Sequence, residues 1–208
     1  MSRRPLTTTS FAILGLLAIQ PWATYDLAKL MRRSLHFFWP RAESNLYAEP
    51  KRLVAAGLAE AREEWNGDRR RTVYSITDRG RDALREWLMT PPADVRVESE
   101  AHLRLLYGNY GSKDDLLAAI QAIEDDAQRT IDHYARLGVE YARGEGLFPD
   151  RIHVNALLAT LSIEQARAAV RWARWAREAV GAWKSTVKPD VEWAAETMLR
   201  AAGEKDGD

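Results

Sequence analysis

The chain has 208 residues, of which 46% are apolar and 29% charged, a composition that suits two small water-soluble domains or one larger one. It contains no cysteine, which excludes disulfides, thiolate metal sites and thiol redox sensing. No apolar run reaches the roughly 18–20 residues that a membrane span requires, so a cytoplasmic protein is expected.

A net charge of zero hides an asymmetry. Residues 1–92 hold 15 basic and 10 acidic side chains, and the remainder 15 and 20. A basic head on an acidic tail suits a nucleic-acid reader, because phosphate neutralisation supplies much of the affinity.

After MSRRPLTTTS, whose hydroxyls offer caps, the apolar stretch FAILGLLAIQP predicts a first helix from about Ser10, stopped by Pro21. A basic start before an apolar core also has the look of a signal peptide, but no small-x-small cleavage site follows. Thr24 is a plausible N-cap for a second helix, with Leu27, Leu30 and Met31 facing inward. The stretch HFFWPRAES is the expected turn, since Pro40 biases Trp39 away from helix.

A third helix then turns Leu46, Pro50, Leu53 and Val54 to a core and ends at Gly57, where a left-handed residue is wanted. Its outward set is Ser44, Asn45, Tyr47, Ala48, Lys51 and Arg52, with Arg41 just before it. Asn pairs with adenine and Arg with guanine, while Tyr and Lys hold phosphates. A plain solvated face would have the same composition. Glu49 brings a negative charge near this surface, most simply as a solvated side chain.

Leu58–Trp65 and Arg69–Ile76 read as two strands joined by NGD. Arg69, Arg70 and Arg71 follow the turn. Successive side chains alternate between faces, yet near a hairpin tip all three can reach a phosphate backbone. A solubilising tip is the bland alternative. Thr77 or Asp78 caps a fourth helix, and Pro91–Pro92 closes the head.

Helix, helix, helix, ribbon, helix is the order of a winged helix-turn-helix, a fold that puts one helix into the DNA major groove and a wing against the backbone. The segments ILGLLAIQPWATYDLAKLM, FWPRAESNLYAEPKRLVAAGLAEA and YSITDRGRDALREWL resemble the PadR family of transcriptional regulators over about residues 11–88. The resemblance implies a dimer paired through C-terminal helices, near-palindromic operators, and repression relieved by a small ligand. The chain departs from the family pattern at Ala48, where proline is frequent, and at Pro50, which takes an apolar place. A mid-helix proline removes a hydrogen bond and tends to kink the axis.

In the tail, Ser112-Lys113-Asp114-Asp115 resembles a capping box. Leu116, Ile120, Ile123, Ala127, Tyr134, Leu137 and Tyr141 then follow a seven-residue repeat, the period of a packed helix seam, as far as Arg143. GEGLFPD breaks that helix. A second long helix carries Val154, Leu158, Leu161, Gln165, Ala168, Trp172, Trp175, Ala179 and Trp183 on a similar stripe, and a shorter helix spans about Val191–Ala202.

Two antiparallel long helices need a further surface to bury their stripes, and a second copy is the simplest source. The expected dimerisation set is Leu116, Ile120, Ile123, Tyr134, Leu158, Leu161, Trp172 and Trp183. Trp39, Trp172 and Trp175 are candidates for a small aromatic effector, although large aromatics also fill helix-pair cores.

The four histidines, His36, His102, His133 and His153, fall in different segments without ligand spacing, and no phosphate loop, nucleophile elbow or dinucleotide fingerprint occurs. No enzyme, metal or cofactor is expected. The expected architecture is mainly α: a winged helix-turn-helix over residues 1–92, then an antiparallel long-helix dimerisation domain over 93–208. The expected partners are double-stranded DNA and a second copy, with no membrane. The competing reading is a winged-helix dimer that binds other proteins instead of DNA.

Overall fold

The computed structural model describes residues 5–34, 43–95, 97–188 and 190–203. It divides into two compact units, Met1–Val95 and Arg96–Asp208.

In the first unit α1 spans Thr8–Ile19. It starts two residues ahead of the expected Ser10; Thr7 is its N-cap, and Thr7 and Ser10 form a reciprocal capping box. Helix α2 (Thr24–Ser34) starts at Thr24 itself. Helix α3 spans Glu43–Ala55 and continues through Pro50. It closes in a Schellman turn: Gly57 has φ 73°, Gly57 N–H donates to Val54 O, and Leu58 N–H donates to Leu53 O at 2.9 Å. Leu53 and Leu58 are both buried, which supplies the apolar contact that usually accompanies this turn.

Strands β2 (Ala59–Asn66) and β3 (Arg69–Ile76) form the ribbon. Asn66 pairs with Arg69, so the loop is the two residues Gly67-Asp68 and not the three-residue NGD expected from the sequence. Gly67 has φ 60° and Asp68 does not share that sign, the pattern of a II′ turn with glycine first. A two-residue strand, β1 (Trp22–Ala23), pairs antiparallel with β3 and gives the sheet order β1-β3-β2. It was not legible in advance, being too short for a periodic signal.

Helix α4 (Asp78–Leu88) is capped by Thr77. The Thr77 hydroxyl donates to Gly57 O at 2.9 Å and accepts from Gly80 N–H at 3.1 Å, riveting the end of α3 to the start of α4. Ile13, Leu14, Leu17, Leu27 and Leu53 are fully enclosed in this unit's core. Phe11 of α1 stacks on Trp87 of α4, with centroids 4.8 Å apart.

The second unit contains α5 (Glu100–Leu106), a short 3-10 turn at Gly108–Tyr110, α6 (Lys113–Ala142), a 3-10 turn at Pro149–Arg151, α7 (Ile152–Ala182) and α8 (Val191–Gly203). The Ser112–Asp115 capping box forms, and Arg143 is the C-cap of α6. Helices α6 and α7 are antiparallel. Lys113 Nζ donates to Gly181 O and Trp183 O, Arg177 pairs with Glu124, and Asn155 Nδ2 donates to Tyr141 Oη, so opposite ends meet.

The seam between them differs from the expected one on α7. The buried α7 residues are Ala166, Val170, Ala173, Ala176 and Val180, packed on Leu116, Ile120 and Ala127 of α6. The expected stripe of Leu161, Gln165, Ala168, Trp172 and Trp175 is exposed. The cause is size. Alanines let two helix backbones approach closely, whereas the large aromatics that dominate a hydrophobic pattern cannot fit between them.

Candidate nucleic-acid interface

Helix α3 packs on α1, α2 and β2 through Leu46, Glu49, Pro50 and Leu53, all buried. The opposite stripe therefore faces solvent. Tyr47, Ala48 and Lys51 are exposed, and neither the Tyr47 hydroxyl nor the Lys51 ammonium has a partner among the described residues. Ser44 and Asn45 lie in the first turn of α3, but their side chains, like that of Arg69, are outside the described part of the structure. Arg41 and Trp39 lie outside the described residues.

One expectation at this helix is overturned. Glu49 is not a solvated side chain near the outward face. It is 5% exposed and turned into the core, as its place three residues after Leu46 and four before Leu53 dictates. Its Oε1 accepts from Ser10 Oγ at 2.5 Å and its Oε2 from Arg52 Nη1 at 2.6 Å. A buried carboxylate persists because both oxygens are met by donors.

Arg52, expected on the outward face, is tied to this carboxylate. It lies at the flank of the outward stripe, half-buried, with one guanidinium nitrogen held by Glu49. Leu6, Glu49, Arg52, Leu58 and Arg79 border a cleft of about 340 Å³ at the C-terminal end of α3.

The ribbon presents its basic residues differently from a plain arginine cluster. Arg71 lies directly across from Glu64 and pairs with it at 3.2 Å, while Arg70 pairs with Glu63, the diagonal neighbour two residues from its direct partner Trp65. Arg70 and Arg71 are adjacent on a strand and so occupy opposite faces of the ribbon. Both ion pairs are exposed, a class worth about 0–1 kcal/mol, and a phosphate can compete for either arginine. Opposite Arg70 stands Trp65, 73% exposed one residue before the turn, a feature the motif reading passed over.

In the second unit the aromatic residues separate. Trp183 packs on the Leu116–Ile120 cluster. Trp172 and Trp175 are 38% and 45% exposed, and Trp175 stacks on Trp193 of α8 with centroids 6.5 Å apart. Leu116, Ile120 and Tyr134, expected at a seam between copies, are buried with this unit's own helices. Ser162 Oγ lies 3.4 Å from the Tyr134 hydroxyl. Ile123 and Leu158 are half-buried, and Leu161 is exposed.

Among the described residues no group of three or more His, Asp or Glu side chains could hold a metal ion, and no helix is long and apolar enough to cross a membrane.

Residues 13–86 match the family model of the "Transcriptional regulator PadR-like family". The negative transcriptional regulator PadR of Bacillus subtilis (strain 168) is 30% identical over 99 residues, 47% of this chain and 54% of the relative. The match thus spans about half the length of that curated relative. Bacillus subtilis PadR in complex with operator DNA superposes with a TM-score of 0.67 at 22% identity, covering 84% of this chain and 99% of that one. The same protein in complex with p-coumaric acid gives 0.65 at 21%, with 84% and 99% covered. At these identities the structural likeness is one of fold: a winged helix followed by long C-terminal helices. Over residues 13–86 the chain is thus similar to the PadR-like family of transcriptional regulators.

Proposed function

We propose that the protein is a transcriptional repressor that binds a near-palindromic operator as a homodimer and is released by a planar aromatic ligand. The observation that carries the DNA reading is the head's own geometry. An outward α3 stripe with exposed Tyr47 and Lys51 lies in the same compact unit as a two-stranded ribbon tipped with arginines. In this reading Ser44, Asn45, Tyr47 and Lys51 meet the major groove, Arg41 and Arg52 the adjoining backbone, and Arg69, Arg70 and Arg71 the phosphates beside the wing. The solved complex of Bacillus subtilis PadR with operator DNA supports it by likeness of fold.

The dimer reading rests on α7. Leu157, Leu161, Trp172 and Trp175 leave an apolar stripe exposed along a helix whose other face is already packed. A second copy would cover it and set two reading helices about one DNA turn, roughly 34 Å, apart. The effector reading rests on the p-coumaric acid complex of the relative and on the exposed Trp172 and Trp175 here. A cytoplasmic location goes with a protein whose target is the operator.

The test is in vitro selection of bound duplexes from a random library at about 150 mM salt, which suppresses non-specific binding. The expected result is a palindromic motif with half-sites about 10 base pairs apart. A folded, dimeric protein that enriches no motif, with or without phenolic acids present, would overturn the DNA reading in favour of a winged head that binds another protein.

A further inference from the structure

The buried carboxylate of Glu49 joins two parts of the head that the DNA reading treats separately. Its side chain can only accept, so the single Ser10 hydroxyl proton is donated to Oε1. The Ser10 oxygen is then left to accept from Thr7 N–H at 2.9 Å and from the Thr7 hydroxyl at 3.2 Å, while Thr7 Oγ1 accepts from Ser10 N–H. The hydroxyl donors thus lead from the N-cap of α1 to Glu49 in the middle of α3, with the Ser10 N–H bond to Thr7 Oγ1 returning the other way. The chain ends at Arg52, whose Nη1 is fixed on Oε2.

Arg52 has five N–H donors in a rigid fork, and its remaining donors have no partner among the described residues. A guanidinium held at one corner, half-exposed at the flank of the outward stripe, is arranged for one further anionic acceptor without losing its rotamer freedom on binding.

We propose that Glu49 is a positioning residue for DNA docking: anchored by Ser10 of α1, it holds Arg52 as a preset phosphate contact that sets how α3 seats on the duplex. This rests on the reading of the head as a DNA binder. It makes Arg52 a backbone clamp and not a base reader. Losing it would weaken binding to all sequences instead of relaxing the preference at one base pair.

The alternative roles of Glu49 predict different signs. If Glu49 were only a negative charge near DNA, Glu49→Gln would tighten binding to every duplex. If it were only a core residue, its effect would be independent of Arg52.

The experiment measures operator and random-duplex affinity across a salt series for the full chain and for Glu49→Gln, Arg52→Ala and the double variant, with thermal unfolding of each. The expected outcome is a loss of about five- to tenfold in affinity for Glu49→Gln and a salt slope lower by about one unit, as for Arg52→Ala. The double variant is expected to be no weaker than Arg52→Ala alone. Tighter binding by Glu49→Gln, or a loss that adds in full to that of Arg52→Ala, would overturn the proposal. Should Glu49→Gln not fold, Ser10→Ala removes the anchor while leaving the Glu49–Arg52 pair, and must show the same non-additivity with Arg52→Ala. A wild-type chain that binds no duplex would overturn the DNA reading and this proposal together, an outcome distinct from additive variants of a binding protein.

Discussion

Gly80 shows how one residue can hold a domain's geometry. A Cβ built on it would stand 2.1 Å from the Leu58 carbonyl oxygen and 2.8 Å from an Ile76 side-chain carbon. Backbone cannot give way as a side chain can, so α4 lies this close to the root of the ribbon only because position 80 has no side chain. Gly80→Ala is expected to destabilise the head by at least about 2 kcal/mol, as forced overpacking does. Thermal unfolding would register this, and an unchanged midpoint would show that α4 can shift freely. Thr77 was readable as a helix cap, but the carbonyl that Gly80 must avoid comes from a residue more than twenty positions away. Glu49 has the same lesson. Its helical spacing put it on the inner face, yet an acidic side chain there is unreadable without Ser10, which arrives from another helix.

At the scale of elements, the ribbon and α6 each combine a local signal with a partner supplied across the fold. The arginines of β3 were visible, whereas the glutamates that neutralise two of them became their neighbours only through the β2–β3 register. Replacing Arg70 and Arg71 with alanine is expected to weaken operator and random DNA alike, with the salt slope falling by about one unit per lost phosphate contact. Replacing Glu63 and Glu64 with glutamine should strengthen random binding. Unchanged salt slopes in both sets would remove the wing from the interface.

In α6 the hydroxyl and amide of Ser112 both donate to Asp115 Oδ2, holding its carboxyl below the usual carboxylate range. A group depressed on folding stabilises the fold above its unfolded-state pKa, and that contribution is lost as pH falls through the folded value. Asp115→Asn should therefore lower the unfolding midpoint at neutral pH. The gap from wild type should close in acid; a pH-independent gap would contradict the capping-box account.

At the scale of the whole molecule, the chain divides into a head with its own enclosed core and a tail in which α6 and α7 bury one face of each other. The tail leaves the α7 stripe of Leu157, Leu161, Trp172 and Trp175 exposed. Burying such a stripe at about 25 cal/mol per Å² of apolar area is a strong drive to associate. Leu161→Glu with Trp172→Glu is expected to yield a monomer with much weaker operator binding, because each head then binds its half-site alone. Sedimentation would check the first part and duplex titration the second; a variant still dimeric would place the pairing surface elsewhere on the chain.

Local chemistry accounts for what could be read from the residues alone. Capping hydroxyls, a left-handed glycine after α3, turn residues between two strands and a heptad on α6 are interactions within a few positions, and they dictate the order and type of nearly every element. Three matters depended on elements meeting in space. One was which stripe of α7 packs inward, where small alanines prevailed over tryptophans because helix approach is limited by side-chain bulk. Another was that Arg70 and Arg71 are paired, since strand register sets cross-strand neighbours. The last was that Glu49 and Arg52 form a buried-to-surface chain with Ser10, since a carboxylate can leave water only where donors from another element await it.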